Sequence, residues 1–175
     1  MTEDQTGDAR FEEAPLSDRP VRLRAEGAED LAVISALLQD AVGQAGEILY
    51  ARARKRLVLL VNRFRWEDRT AAERAGRPFE RVRAALTLDR VARVRARGIA
   101  PGDAETVYSI LTVGFESGED PDDPTGRVRI MLAGDGEVLA EVECLEASLD
   151  DLTRPWAAAA RRAPDHGPDG GSDAG

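Results

Sequence analysis

The chain is almost empty of the side chains that most enzymes rely on. Among 175 residues there is one cysteine, Cys144, and one histidine, His166. A lone cysteine allows neither an intrachain disulfide nor a thiolate metal cage. His166 sits in Arg-Arg-Ala-Pro-Asp-His-Gly-Pro-Asp-Gly-Gly, which reads as a tail, so the expected folded part has no imidazole. That excludes Ser-His-Asp and Cys-His catalysis and histidine-ligated metal within it. Aromatic residues make up 5%, too few for the stacking platforms of single-strand nucleic-acid binding. Neither a Walker-type loop nor Gly-x-Gly-x-x-Gly occurs, so no phosphate-cradling glycine motif is present and no cofactor is expected. No apolar run approaches the roughly 20 residues that span a bilayer. Met1–Pro20 holds six acids against Arg10 and Arg19 and no apolar stretch, unlike a secretory signal. The expected location is therefore cytoplasmic, with no membrane association. Lysine is nearly absent too: Lys55 stands alone against 23 arginines, either a coding bias or a use of the planar guanidinium fork.

What is present is charge, unevenly distributed. Residues 52–97 carry Lys55 and fourteen arginines against five acids, a block of +10. Residues 98–156 carry three arginines against fourteen acids, a block of −11. The total of −9 hides both. Such a split marks either an anionic partner or two parts of one domain that face each other. Hydrophobic content of 42% with 33% charged residues fits a soluble globular chain of one domain. The expected organisation is an acidic disordered tail over 1–20, a single globular domain over 21–156, and a second disordered tail over 157–175.

Within the domain, Val21–Arg24 alternates as a short strand. Leu31–Val42 has apolar residues at helical spacing behind Glu29 and Asp30, with Gly43 as a stop. Ile48 and Tyr50 enter a polar turn at Arg52–Lys55, and Leu57–Val61 returns as a strand covered on both faces and hence central. Glu67–Pro78 reads as a charged loop. Arg81–Arg97 alternates up to Asp89-Arg90 and resumes at Val91, which favours two strands over one amphipathic helix. Val107–Phe115 is a strand, Ser117–Gly126 an acidic loop, and Val128–Leu132 pairs with Val138–Cys144 through Gly134-Asp135-Gly136. Leu145, Leu149 and Leu152 predict a C-terminal helix. The fold class is thus α+β: an antiparallel β-sheet or partly open barrel of about seven strands, with one early helix and one C-terminal helix.

Five features carry chemistry on paper. The arginines at 52, 54, 56, 63, 65, 81, 83, 93, 95 and 97 could line a phosphate-binding stripe, or could pair with Glu116, Glu137, Glu141 and Glu143 across a ladder; the second reading is favoured. Glu141 and Glu143 could act as paired carboxylates but read as an exposed strand face. Asp120, Asp122 and Asp123 match no calcium loop and read as solvated. Cys144 reads as a buried, inert thiol beside Val142. The candidate binding residues are Asn62, Arg63, Arg65, Trp66, Glu67 and Asp68, where an amide, two guanidiniums, an indole and two carboxylates gather as the central strand runs into a loop. The competing structural reading has Trp66 plugging the end of the core while Arg63 and Arg65 lie in water.

Three stretches taken in order carry a resemblance: Leu-Leu-Gln-Asp-Ala within Leu31–Val42, Leu-Leu-Val-Asn-Arg-Phe-Arg-Trp-Glu-Asp within Leu57–Asp68, and Glu-Val-Glu-Cys-Leu-Glu-Ala-Ser-Leu-Asp-Asp-Leu within Glu141–Trp156. Together they resemble an uncharacterised family of small alphaproteobacterial proteins, catalogued only as a domain of unknown function. The resemblance spans about Val21–Trp156 and implies no activity, cofactor or catalytic residue. The expected function is a non-catalytic soluble domain that binds a protein partner or a small ligand. The alternatives are an enzyme running on carboxylates and arginines, and nucleic-acid binding through the 52–97 arginine block; the nucleic-acid reading and an enzymatic role are the less favoured.

Overall fold

The computed structural model describes residues 19–99 and 103–158. The expected tails fall mostly outside these residues. Strand β1 (Arg22–Ala25) leads into helix α1 (Ala28–Leu38), followed by β2 (Val42–Ala51) and β3 (Arg56–Phe64). A short helix α2 (Arg69–Ala75) precedes β4 (Glu80–Arg97), β5 (Val107–Ser117), β6 (Gly126–Leu132), β7 (Gly136–Asp151) and β8 (Trp156–Ala157). All pairings are antiparallel, in the order β1-β7-β6-β5-β2-β3-β4-β8, with β4 also paired to β7. That last pairing partly rings the six strands from β2 to β7.

Period-two alternation supplies the core. Leu57, Leu59 and Val61 on β3, Leu86 and Leu88 on β4, and Ile130 on β6 are fully buried. Each such side chain contributes roughly 1.5–3 kcal/mol through burial. β3 lies between β2 and β4, the central position that its apolar run predicts. Helix α1 buries Leu31, Ile34 and Leu38, and Ser35 Oγ accepts a 2.8 Å hydrogen bond from the Val113 amide of β5. On β2, Gly43 is required for space. A Cβ there would lie 2.5 Å from the buried Tyr108 hydroxyl oxygen.

Four expectations need correction. The predicted C-terminal helix is strand: β7 runs on to Asp151. Leu145 and Leu149 lie four residues apart, a spacing common to one face of a helix and every second inward position of a strand. Ala147, buried between them, is the strand's mark. The region Arg81–Arg97 is neither two strands nor a helix but one bent strand, β4. Arg90 adopts φ +60° at the bend, where the β4–β7 register shifts between Asp89 and Val91. Helix α1 ends at Leu38, four residues before the expected end, because Asp40 turns left-handed at φ +61° and Val42 already pairs with Asn62. Finally, the loop expected over Glu67–Pro78 contains α2, closed by Gly76 at φ +62°, whose amide and that of Arg77 donate to Glu73 and Ala72 carbonyls.

Candidate functional site

The six predicted site residues stand together where β3 ends, and their burial differs sharply from the picture of arginines in water. The Arg63 side chain is fully buried, and Arg65 and Asp68 are buried as well. Arg63 belongs to the inward face of β3 with Leu57, Leu59 and Val61. A guanidinium cannot shed its proton to escape burial, and taking it out of water costs several kcal/mol. It is tolerated only with counter-charges and a full set of acceptors.

Arg63 has both. Its Nε and Nη2 donate to the two oxygens of Asp151 at 2.9 Å each. Its Nη1 and Nη2 donate to the two oxygens of Glu67 at 3.0 and 2.8 Å. The remaining Nη1 proton goes to the Phe64 carbonyl at 3.0 Å. All five donors are thereby used, in two bidentate forks. The Asp151 carboxylate also accepts the Val21 amide at 2.8 Å. β4 lies between β3 and β7, so Arg63 ties the central strand to the far end of β7.

Arg65 extends the network. Its Nη1 donates to Glu80, its amide donates to the Glu80 carbonyl at 3.0 Å, and Nε lies 3.9 Å from Glu67. Asp68, whose side chain is 3% exposed, is gripped by both ends of the Arg77 fork at 3.2 Å. Burial pushes the Glu67 carboxyl up, but hydrogen bonds and charge from Arg63 outweigh it and hold the group below the usual range. Burial pulls the Arg63 guanidinium down, but Glu67 and Asp151 outweigh it and hold the group above its ordinary value. Trp66 lies half-buried, its ring 5.5 Å from Phe64, with Nε1 donating to the Gln39 carbonyl at 3.0 Å. The Arg81 guanidinium also stacks on Phe64, 3.9 Å from the ring centroid. Asn62 accepts from Arg83 at 3.4 Å.

Beside this network opens a cavity of about 430 Å³, lined by Arg19, Pro20, Arg22, Arg65, Val82, Asp151, Leu152, Thr153, Arg154 and Pro155. The sequence reading missed Asp151, Glu80 and Arg154 as neighbours of the segment. They lie 15 to almost 90 positions downstream; β3–β4 pairing brings in Glu80, and β4–β7 pairing brings in Asp151, with Arg154 just beyond it.

The remaining constellations take structural roles. Arg95 pairs with Glu141 at 3.1 Å, Lys55 with Glu143, and Arg129 with Glu116 and Glu137. Glu141 and Glu143 therefore each face a cation of their own. Asp120 and Asp123 accept backbone amides of their own loop at 2.9 Å, and no group of acids that could hold a metal ion is found among the described residues. Cys144 is not buried but half-exposed. It sits where β7 reverses its inward face from Val142 to Leu145, so it loses the apolar side that alternation assigned to it. No helix among the described residues is long and apolar enough to cross a membrane.

The chain belongs to the family described as Protein of unknown function (DUF2948), which matches residues 21–166. The match begins at Val21, where the resemblance begins, and runs ten residues past Trp156. No curated protein matches the chain, and no solved structure does.

Proposed function

We propose that this chain is a non-catalytic cytoplasmic domain that binds a small ligand where β3 and β7 end, in the cavity beside the Asn62–Asp68 segment. The observation that supports this best is how the charged groups there are spent. Arg63 gives four of its five donors to Glu67 and Asp151 and the fifth to the Phe64 carbonyl, and the Glu67 carboxyl is held below its ordinary range. Groups so engaged offer neither a free base nor a general acid near neutrality; they supply rigidity and a fixed field. The cavity volume falls within the roughly 300–1,000 Å³ common for small-molecule sites, which favours a small ligand over a protein partner.

The test is a ligand-observed NMR fragment screen on the full chain and on Leu152→Trp. Leu152 is 54% exposed and lines the cavity, so an indole there should fill the mouth and leave the fold intact. The expected outcome is a set of fragments whose signals vanish with the variant. Hits indifferent to Leu152→Trp, or no hits at all, would sink the assignment.

A further inference from the structure

About half of the described arginines stand beside a described carboxylate, and where the others stand is informative. Arg24, Arg56, Arg83, Arg90, Arg95 and Arg129 each form an ion pair. Around the cavity, Arg19, Arg22 and Arg154 are exposed and form no ion pair with any described residue. Arg52, Arg54, Arg74, Arg93 and Arg97 form none with any described residue either, so what marks the cavity is that several such arginines line it together. The one acid in the lining, Asp151, is already engaged: its oxygens accept two hydrogen bonds from Arg63 and one from the Val21 amide. Arg65, buried beneath, is committed to Glu80. The cavity therefore gathers like charges that repel one another, on a molecule whose net charge is −9. Its lining also includes the apolar Val82, Leu152 and Pro155.

We propose that this cavity is an anion site for a small organic acid: a carboxylate or phosphate head held by Arg22 and Arg154, on a compact apolar body lying against Val82 and Leu152. The proposal rests on the binding-domain reading and names the ligand class for that site. Guanidinium forks match carboxylate and phosphate oxygens in pairs. The apolar lining residues reward a body that a bare inorganic ion lacks. Arg65 lies past the far end of β3 from Arg52 and Arg54, about 30 Å away by strand rise, and neither of those two lines the cavity, so they are a control for general charge.

Four probes separate head from body by calorimetric titration of the full chain: benzoate, phenyl phosphate, benzyl alcohol and inorganic phosphate. Either aromatic anion should bind about tenfold tighter than both the uncharged alcohol and inorganic phosphate, and more weakly as salt rises. Whichever of benzoate and phenyl phosphate binds tighter identifies the head. Arg22→Ala/Arg154→Ala should weaken it by about tenfold or more with an unchanged melting temperature, since both side chains are exposed and unpaired. Arg52→Ala/Arg54→Ala should leave it unchanged. Equal binding of benzyl alcohol and benzoate, or the same loss in both double variants, overturns the proposal. Neutral fragments blocked by Leu152→Trp would then still support the binding domain while removing the anion assignment. Binding that appears only after the six acids of residues 1–18 are changed to amides would make the chain's own acidic segment the occupant, and overturns it too.

Discussion

At the scale of single residues, Arg63 is the decisive side chain. A sequence pattern of Leu57, Leu59 and Val61 followed by Arg63 puts a guanidinium on the inward face, where free charge is prohibitive. The structure resolves this with two bidentate carboxylates, one of them, Glu67, at the site's edge with its side chain 26% exposed. Glu67 carries a pH signature. Its folded carboxyl lies below the ordinary value near 4.5. A carboxyl lowered in the fold contributes stability above its unfolded value and loses it as pH falls through the folded one. Glu67→Gln should therefore cost about 1–3 kcal/mol at pH 7. The gap between the two proteins should close as pH falls below about 4.5. Urea midpoints from pH 7 to strongly acid pH check this; a gap that is constant with pH would show that Glu67 contributes shape and not charge. That Arg63 and Glu67 belong to one cluster was legible from their closeness in sequence, but their pairing was not, since a four-residue spacing makes neighbours on a helix and not along a strand; nothing local points to Asp151 either.

At the scale of elements, bends decide what a linear reading gets wrong. β4 and β7 are long strands, 18 and 16 residues, and both change their inward face partway. On β7 the inward set passes from Val138, Ala140 and Val142 to Leu145, Ala147 and Leu149. On β4 it passes from Leu86 and Leu88 to Val91 across Arg90. The pairing Val91 to Val142 sits at this common bend. Arg90 adopts a left-handed conformation there that costs a non-glycine residue roughly 1–2 kcal/mol, while its 3.5 Å pair with Glu146 is exposed and adds little. Arg90→Gly should hold or raise the melting temperature, and Arg90→Val should lower it, with a cost of about 1–2 kcal/mol. The two variants melted side by side give the answer; equal losses would mean the bend does not depend on that backbone state. An alternation interrupted at Asp89-Arg90 was visible in the sequence. Whether the chain there ends a strand or bends one depends on β7, its partner across the gap.

At the scale of the whole molecule, the two charge blocks meet. Lys55–Glu143, Arg63–Asp151, Arg90–Glu146 and Arg95–Glu141 each join the 52–97 block to the 98–156 block. The exposed pairs among them contribute little to stability, yet they leave interleaved signs where the sequence has a run of one sign. A mixed surface lacks the continuous positive face that nucleic acid needs. Binding to mixed DNA or RNA at moderate salt should then be no tighter than the non-specific range of roughly 10⁻⁴ to 10⁻⁶ M. Fluorescence anisotropy with a labelled duplex and a labelled single strand checks it. Submicromolar, salt-steep affinity lost on Arg52→Ala/Arg54→Ala would restore the nucleic-acid reading.

The amino-acid sequence alone determined the local and the subtractive properties: a β-rich chain with an early helix, a central strand at Leu57–Val61, and no histidine and a single cysteine within residues 21–156. These follow from composition and from period-two alternation, which act over a few residues. Tertiary structure alone decided that β7 is strand through Asp151, that Arg63 is buried, and that Arg22 and Arg154 share a cavity with Arg65. The physical reason is the same in each case. The partner that settles the matter is remote in the chain: β4 for the end of β7, Asp151 for Arg63, and the join of β1 to β7 for the cavity.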